Sequence, residues 1–365
     1  MASSFRDTDD GVSAVPAALI ARAATAPALA HARLTTAIDD FFLGEDGRLD
    51  DRLRAGVARS LAAIVAVTEG AIAAHAARLL TTRDAPELAL RLAQPAVSLL
   101  GRLAEAGVLR DVALMREVIA RARQEQIGDA LPAEAPLRAD YPSLLTRLAN
   151  HSDRVVAGAA RALFVAENRR RAIRDGGMAS DLPAELHHRL VWWITAALRQ
   201  RLDDVDDAAL RDAALTDAAS RVLAAHDEGE ALEAAAMRLA RVVAPSRGQL
   251  VDMLIEALGD RRLVMFTALL ADSVAMDYDL VRDFVADPAG NQLLLALRAL
   301  DLDRGTIARI GLALCEADPR RNLDAFAATL DDAMALQPDA AQAGLAALKM
   351  HPDLRAALLA LGEAT

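Results

Sequence analysis

DRGTIARIGLALCE, Asp303–Glu316, decides the fold. Ile307, Ile310, Gly311, Leu314 and Cys315 recur at i, i+3, i+4, i+7 and i+8, which stacks them on one face of an α-helix. Arg304, Arg309 and Glu316 fall mainly off that stripe. Asp303 stands where its carboxylate can accept from the unpaired N–H groups of a first turn. The same period returns in RRLVMFTALLADSV (Arg261–Val274), with Leu263, Phe266, Thr267, Leu270 and Val274 on one face and Asp260 as the expected cap. It returns again in QLVDMLIEAL (Gln249–Leu258) through Leu250, Leu254 and Leu258. Period-two alternation is scarce, so the chain reads as all-α.

Proline, glycine and aspartate punctuate this pattern at short intervals, which predicts helices of three to four turns joined by short loops. Two breaks are heavier: GDALPAEAPLRADYP (Gly128–Pro142) and RDGGMASDLP (Arg174–Pro183). The main division is expected at the second, between an N-terminal helical region, 1–178, and a C-terminal HEAT-like region, 179–365. SDRVVAGAARAL (Ser152–Leu163) resembles the second helix of a HEAT repeat: Asp153 caps, Val156 and Leu163 point inward, and Ala159, Ala160 and Ala162 allow close approach. Ala157 stands where such repeats usually carry Arg. Elsewhere, as in MDYDLVRDFVADPAGNQLLLALRAL (Met276–Leu300), the helix–Pro–helix shape persists with little identity. The expected architecture is a HEAT-like helical-pair solenoid or an irregular helical array.

Composition narrows the function classes. Lys+Arg is 41 and Asp+Glu 52, a net charge of −11, which argues against a protein built to grip phosphate backbone. Aromatics make up 3% of a chain that is 54% hydrophobic, so the helices pack through Ala, Leu and Val. One cysteine excludes a disulfide framework and a Cys-based structural zinc site; Cys315, on the apolar stripe, is expected to be a buried, inert thiol. The start, MASSFRDTDDG, has no basic and apolar leader pattern, and the longest uncharged stretch, Gly11–Ala21, is about half of the roughly 20 residues a membrane helix needs. A cytoplasmic protein, not bound to membrane, is expected. No P-loop, dinucleotide, nucleophile-elbow or zincin motif occurs, and no cofactor is expected.

LPAELHHRLVWWITAALR (Leu182–Arg199) is the most suggestive segment. Glu185 and His188 form a Glu-x-x-His pair, the spacing of di-iron bundle ligands, yet the second such pair is missing: Leu148, Ile72 and Leu223 precede His151, His75 and His226. His187 and His188 are adjacent, about 100° apart on a helix, and cannot chelate together. Leu186, Leu190, Trp193 and Ala197 read as the core stripe, leaving His188, Trp192, Thr195 and Arg199 along a flank. Two readings follow: a histidine hydrogen-bonded at an inter-helix contact, or a partner or ligand surface that includes Glu185 and is anchored by Trp192. No metal site is expected. Arg169, Arg170, Arg171 and Arg174 form the densest basic patch, either an anion or acidic-partner site or a favourable last helical turn with Gly176 or Gly177 as cap. Asp203, Asp204, Asp206 and Asp207 lack a calcium-loop pattern; Asp206 or Asp207 is expected to cap the next helix.

Longer blocks carry a family resemblance. DDFFLGEDGRLDDRLR (Asp39–Arg54), ALFVAENRRR (Ala162–Arg171), the LPAELHHRLVWW segment, AAHDEGEALEAAAMRLA (Ala224–Ala240) and LALRALDLDRGTIARIGLALCEADPRR (Leu295–Arg321) together resemble the bacterial family called domain of unknown function 2336. That resemblance implies an all-helical, HEAT-like cytoplasmic bacterial protein, and it carries no catalytic residues to transfer. The leading functional reading is a non-enzymatic scaffold or adaptor with a protein partner and no nucleic acid. The alternative is a small-molecule or anion sensor near Trp192 and Arg169–Arg174. A HEAT-like glycosylase is less favoured, since it needs a basic concave face with aromatic wedges.

Overall fold

Helix ends show how closely local chemistry is obeyed in the computed structural model of the chain. Asp303 Oδ1 accepts from the N–H groups of Gly305 (2.8 Å) and Thr306 (3.1 Å), as its position predicts. Asp207 accepts from Leu210 N at 3.0 Å, and Asp153 from Val155 N at 2.7 Å. Asp260 departs from expectation. It does not cap the helix that follows; its Oδ2 accepts instead from Leu144 N at 2.7 Å, at the start of a helix more than a hundred residues earlier. A long-range partner took the carboxylate that a local one was expected to use.

The structure describes residues 50–94, 99–132, 142–174, 180–203 and 207–351, with isolated positions between 19 and 38 and between 353 and 361. Among them there is no strand and there are sixteen α-helices. These are α1 (Asp51–Thr82), α2 (Pro86–Ala93), α3 (Leu99–Glu105), α4 (Val112–Ala130), α5 (Leu144–Ala149), α6 (Arg154–Arg174), α7 (Ala184–Arg201) and α8 (Ala208–Ala224). There follow α9 (Leu232–Val243), α10 (Arg247–Gly259), α11 (Leu263–Val274), α12 (Tyr278–Ala286), α13 (Asn291–Ala299), α14 (Arg304–Ala317), α15 (Leu323–Ala335) and α16 (Pro338–Ala346). The protein is all-α. Two compact units form, each from separate stretches: unit one from 1–37, 123–157 and 236–365, unit two from 38–122 and 158–235. The boundary expected at 178/179, Gly176, Gly177, Asp204 and Asp206 lie outside the described residues, as does most of the Asp39–Arg54 block.

In unit two, α1 is the spine. Leu53, Val57, Leu61, Ile64, Val65, Ile72 and Leu80 are buried along it, and it packs on α2, α3, α7 and α8. By length and composition it is the one described helix apolar enough to cross a membrane. Here Glu69 in its middle pairs with Arg201 of α7 at 2.9 Å, and its buried side chains, each worth about 1.5–3 kcal/mol, form the core. Unit one is centred on α11, buried nearly all round through Leu263, Met265, Phe266, Thr267, Leu269, Leu270 and Val274, and packed on α10, α12 and α13. The stripes read from α10 and α14 are likewise buried at Leu250, Leu254, Leu258, Ile307, Ile310, Gly311 and Leu314. Cys315 is only half-buried, at the edge of its stripe rather than within it; that burial raises the pKa of its thiol.

Arginines close several helix C-termini from outside. Nη1 of buried Arg211 donates to Leu202 O at the end of α7 (2.9 Å), and Nε of buried Arg298 donates to Leu336 O at the end of α15 (2.7 Å). Arg320 and Arg321 reach Ala286 O (3.1 Å) and Val285 O (2.5 Å) at the end of α12. Carbonyls without a helical partner thus receive charged donors.

Gly311 lies under the half-buried ring of Phe326, where a Cβ would overlap the ring. In a helix interior Gly→Ala ordinarily gains about 1 kcal/mol. Here Gly311→Ala is expected to lower stability by about 1–2 kcal/mol, because the ring must leave. Made on a Phe326→Ala background, the same change is expected to raise stability. Urea denaturation of the four proteins checks the reversal of sign.

Candidate functional site

Helix α7 presents the segment singled out above. Leu186, His187, Leu190, Val191, Ile194, Thr195, Ala197 and Leu198 are buried, a wider inner face than the stripe expected. Thr195 is therefore inside, its hydroxyl donating to Val191 O at 2.7 Å, and Trp193 is half-buried rather than part of the core. The spacing of Glu185, His188, Trp192 and Arg199 places them along the outer face, with Trp192 half-buried and the others exposed. Trp192 Nε1 donates to His188 Nε2 at 3.2 Å, one turn away, which fixes the indole. Arg199 pairs with Asp212 (3.0 Å) and Asp203 (3.4 Å), and Arg189 with Asp111 (2.5 Å). The result is one indole on the outer face, Trp192, flanked by guanidiniums that already have partners, with Trp193 about 100° further round the helix.

His187 is the histidine at the inter-helix contact, where it stacks on a second imidazole. Its ring lies 4.1 Å from that of His226, which follows α8, at 20° between planes. Neither His187 nitrogen has a hydrogen-bond partner among the described residues, nor has His226 Nε2. Burial first, then the neighbouring imidazole of His226, pulls the His187 pKa down to about 4. Among the described residues no group of three His, Cys, Asp or Glu side chains gathers as a metal site would.

The arginine run on α6 is divided. Arg169 pairs with Glu230, and Arg171 is exposed; the side chain of Arg174 lies outside the described residues. Arg170 is the correction to a surface patch: it is buried and held by two carboxylates. Its Nη1 and Nη2 bind both oxygens of Glu233 (2.7 and 2.8 Å), and its Nε binds Asp181 Oδ2 (2.6 Å). Buried Arg121 joins from α4, pairing with Glu117 on its own helix and with Asp181 Oδ1 at 2.8 Å. Burial alone would raise the Asp181 carboxyl, and the two guanidiniums more than reverse it, holding its pKa below the usual value. This internal network went unread because its members come from four separate stretches. Only Glu117 and Arg121, one turn apart, left a local sign. In unit one a cleft of about 270 Å³, which includes Arg241, Asp272, Asp277 and Lys349, was unread for the same reason.

Arg170→Ala leaves two buried carboxylates short of a partner and is expected to cost about 3–5 kcal/mol in urea denaturation. Exposed Arg171→Ala should stay within about 0.5 kcal/mol. His187 makes a pH prediction. Its folded pKa is depressed, so its contribution is complete above about pH 6.5 and is lost as the pH falls toward 4, up to roughly 3 kcal/mol. Chemical denaturation across that window should show the decline in the wild type, and His187→Leu should flatten it.

The model of a family described as an uncharacterised protein conserved in bacteria, domain of unknown function 2336, matches residues 133–346, more than half of the chain. No curated protein and no solved structure matches. The chain belongs to the bacterial family domain of unknown function 2336.

Proposed function

We propose that this protein is a non-enzymatic helical adaptor of the bacterial cytoplasm, and that the outer face of α7 is where a protein partner docks. One observation carries the reading: Trp192, half-buried on the outer face of α7, is one of two indoles in a chain that is 3% aromatic, and Trp193, also half-buried, follows about 100° further round the helix. An indole commits a large apolar area at low entropic cost, and such side chains dominate the energetics of interfaces. The hydrogen bond from Trp192 to His188 holds one of them ready before a partner arrives. Arg189 and Arg199, paired with neighbouring aspartates, make a polar rim around this centre.

A HEAT-like stacking is part of the proposal. It is supported by the pattern Asp153, Val156, Leu163 on α6 and by the neighbour-to-neighbour packing of α10 through α13. The anion-sensor reading of Arg169–Arg174 is less favoured, because the most central guanidinium of that run, Arg170, is already bound by Glu233 and Asp181.

Affinity capture from the native cytoplasm tests the reading with three full-length baits: wild type, Trp192→Ala and Trp193→Ala. A stoichiometric partner held by the wild type and lost with either variant is the expected result, with unchanged far-ultraviolet dichroism. Recovery of the same proteins by all three baits would remove this face from the interface.

A further inference from the structure

The turn between α11 and α12 builds a charged corner. Ala275 ends α11 in the left-handed region, φ 53°; its N–H donates to Asp272 O at 3.1 Å, and that of Met276 to Ala271 O at 3.0 Å. Asp277 then starts α12 as its N-cap, yet its carboxylate makes no capping bond. Asp272, in the last turn of α11, and Asp277 therefore flank one tight turn, and both line the cleft of about 270 Å³ in unit one. Arg241, near the end of α9, and Lys349, in the short turn after α16, line it as well. Buried Met276 and Leu348 add apolar wall.

These four charges do not cancel one another. Arg241 Nε lies 3.9 Å from Asp272 Oδ1, beyond hydrogen-bonding distance. Among the described residues neither Lys349 nor the Asp277 carboxylate has a hydrogen bond or an ion pair. Two cations and two anions sum to zero, so an ion of one sign is drawn by two of them and repelled by the other two. A ligand that carries both signs is drawn by all four. The volume falls near the small end of ligand pockets, roughly 300–1,000 Å³, and so suits a metabolite rather than a chain segment. Thioether and isobutyl groups in the wall favour an aliphatic body on that ligand.

We propose that this cleft binds a free α-amino acid with an aliphatic side chain. The ammonium group goes to Asp272 and Asp277, the carboxylate to Arg241 and Lys349, and the side chain to Met276 and Leu348. All six residues belong to unit one and the docking face of α7 to unit two, so either proposal can fail without the other.

The test uses the fact that Lys349 is the only lysine of the chain. Full-length protein labelled with carbon-13 at the lysine ε-carbon gives a single lysine resonance, which is followed as L-leucine, L-methionine or L-valine is added, with calorimetry in parallel. Saturable movement of that resonance with at least one of the three, at micromolar to millimolar concentration, is expected. L-leucinamide lacks the carboxylate, 4-methylpentanoate lacks the ammonium and glycine lacks the side chain; each should bind at least about tenfold more weakly than the best of the three. Asp277→Asn and Lys349→Met, both at exposed positions, should weaken binding by a similar factor in calorimetry and leave the thermal midpoint unchanged. No saturable response to any of the three amino acids would overturn the proposal. So would leucinamide or 4-methylpentanoate binding as tightly as leucine, or calorimetric affinity unchanged in both variants.

Discussion

Unit two depends on charge held away from water. Arg170 lies between Glu233 and Asp181, and Arg121 closes on Asp181 from the other side. Three carboxylates and two guanidiniums are tolerated there because nearly every donor meets an acceptor at hydrogen-bonding distance. The arrangement also has a positional role. Asp181 stands two residues before Pro183, the N-cap of α7, so the network anchors the chain where α7 begins. The face that carries Trp192 is set from that anchor.

How much of this was legible follows from what a periodic pattern encodes. Apolar spacing reports the inner face of a helix against itself, and so Ile307, Ile310, Leu314, Leu263 and Phe266 were placed without a structure. Caps that use the next turn, such as Asp303 and Asp207, were legible for the same reason. Asp260 was not, because its partner, Leu144, comes from a distant stretch. Thr195 looked like a flank residue on polarity, yet its hydroxyl is satisfied by Val191 O of its own helix and so can go inside. Arg170 sat in a run of three arginines, and nothing in that run says which one faces inward.

The candidate face was legible as a list of residues and less so as an environment. Glu185, His188, Trp192 and Arg199 share one side of α7 by spacing alone. That His188 would serve Trp192, while His187 turned inward to stack on His226, depended on where α8 ends. Adjacent positions on a helix meet different surroundings, and the sequence does not carry the neighbour.

Guanidiniums that finish the ends of other helices have a further consequence. Leu202 O and Leu336 O are served by Arg211 and Arg298, side chains rooted in other helices. Neither α7 nor α15 can slip along its axis without undoing a bond that belongs to another helix. Alanine-rich surfaces are smooth and offer little to stop sliding. The arginines act as dowels, so register here is kept by bonds at the tips where side-chain relief along the shafts is too shallow to keep it.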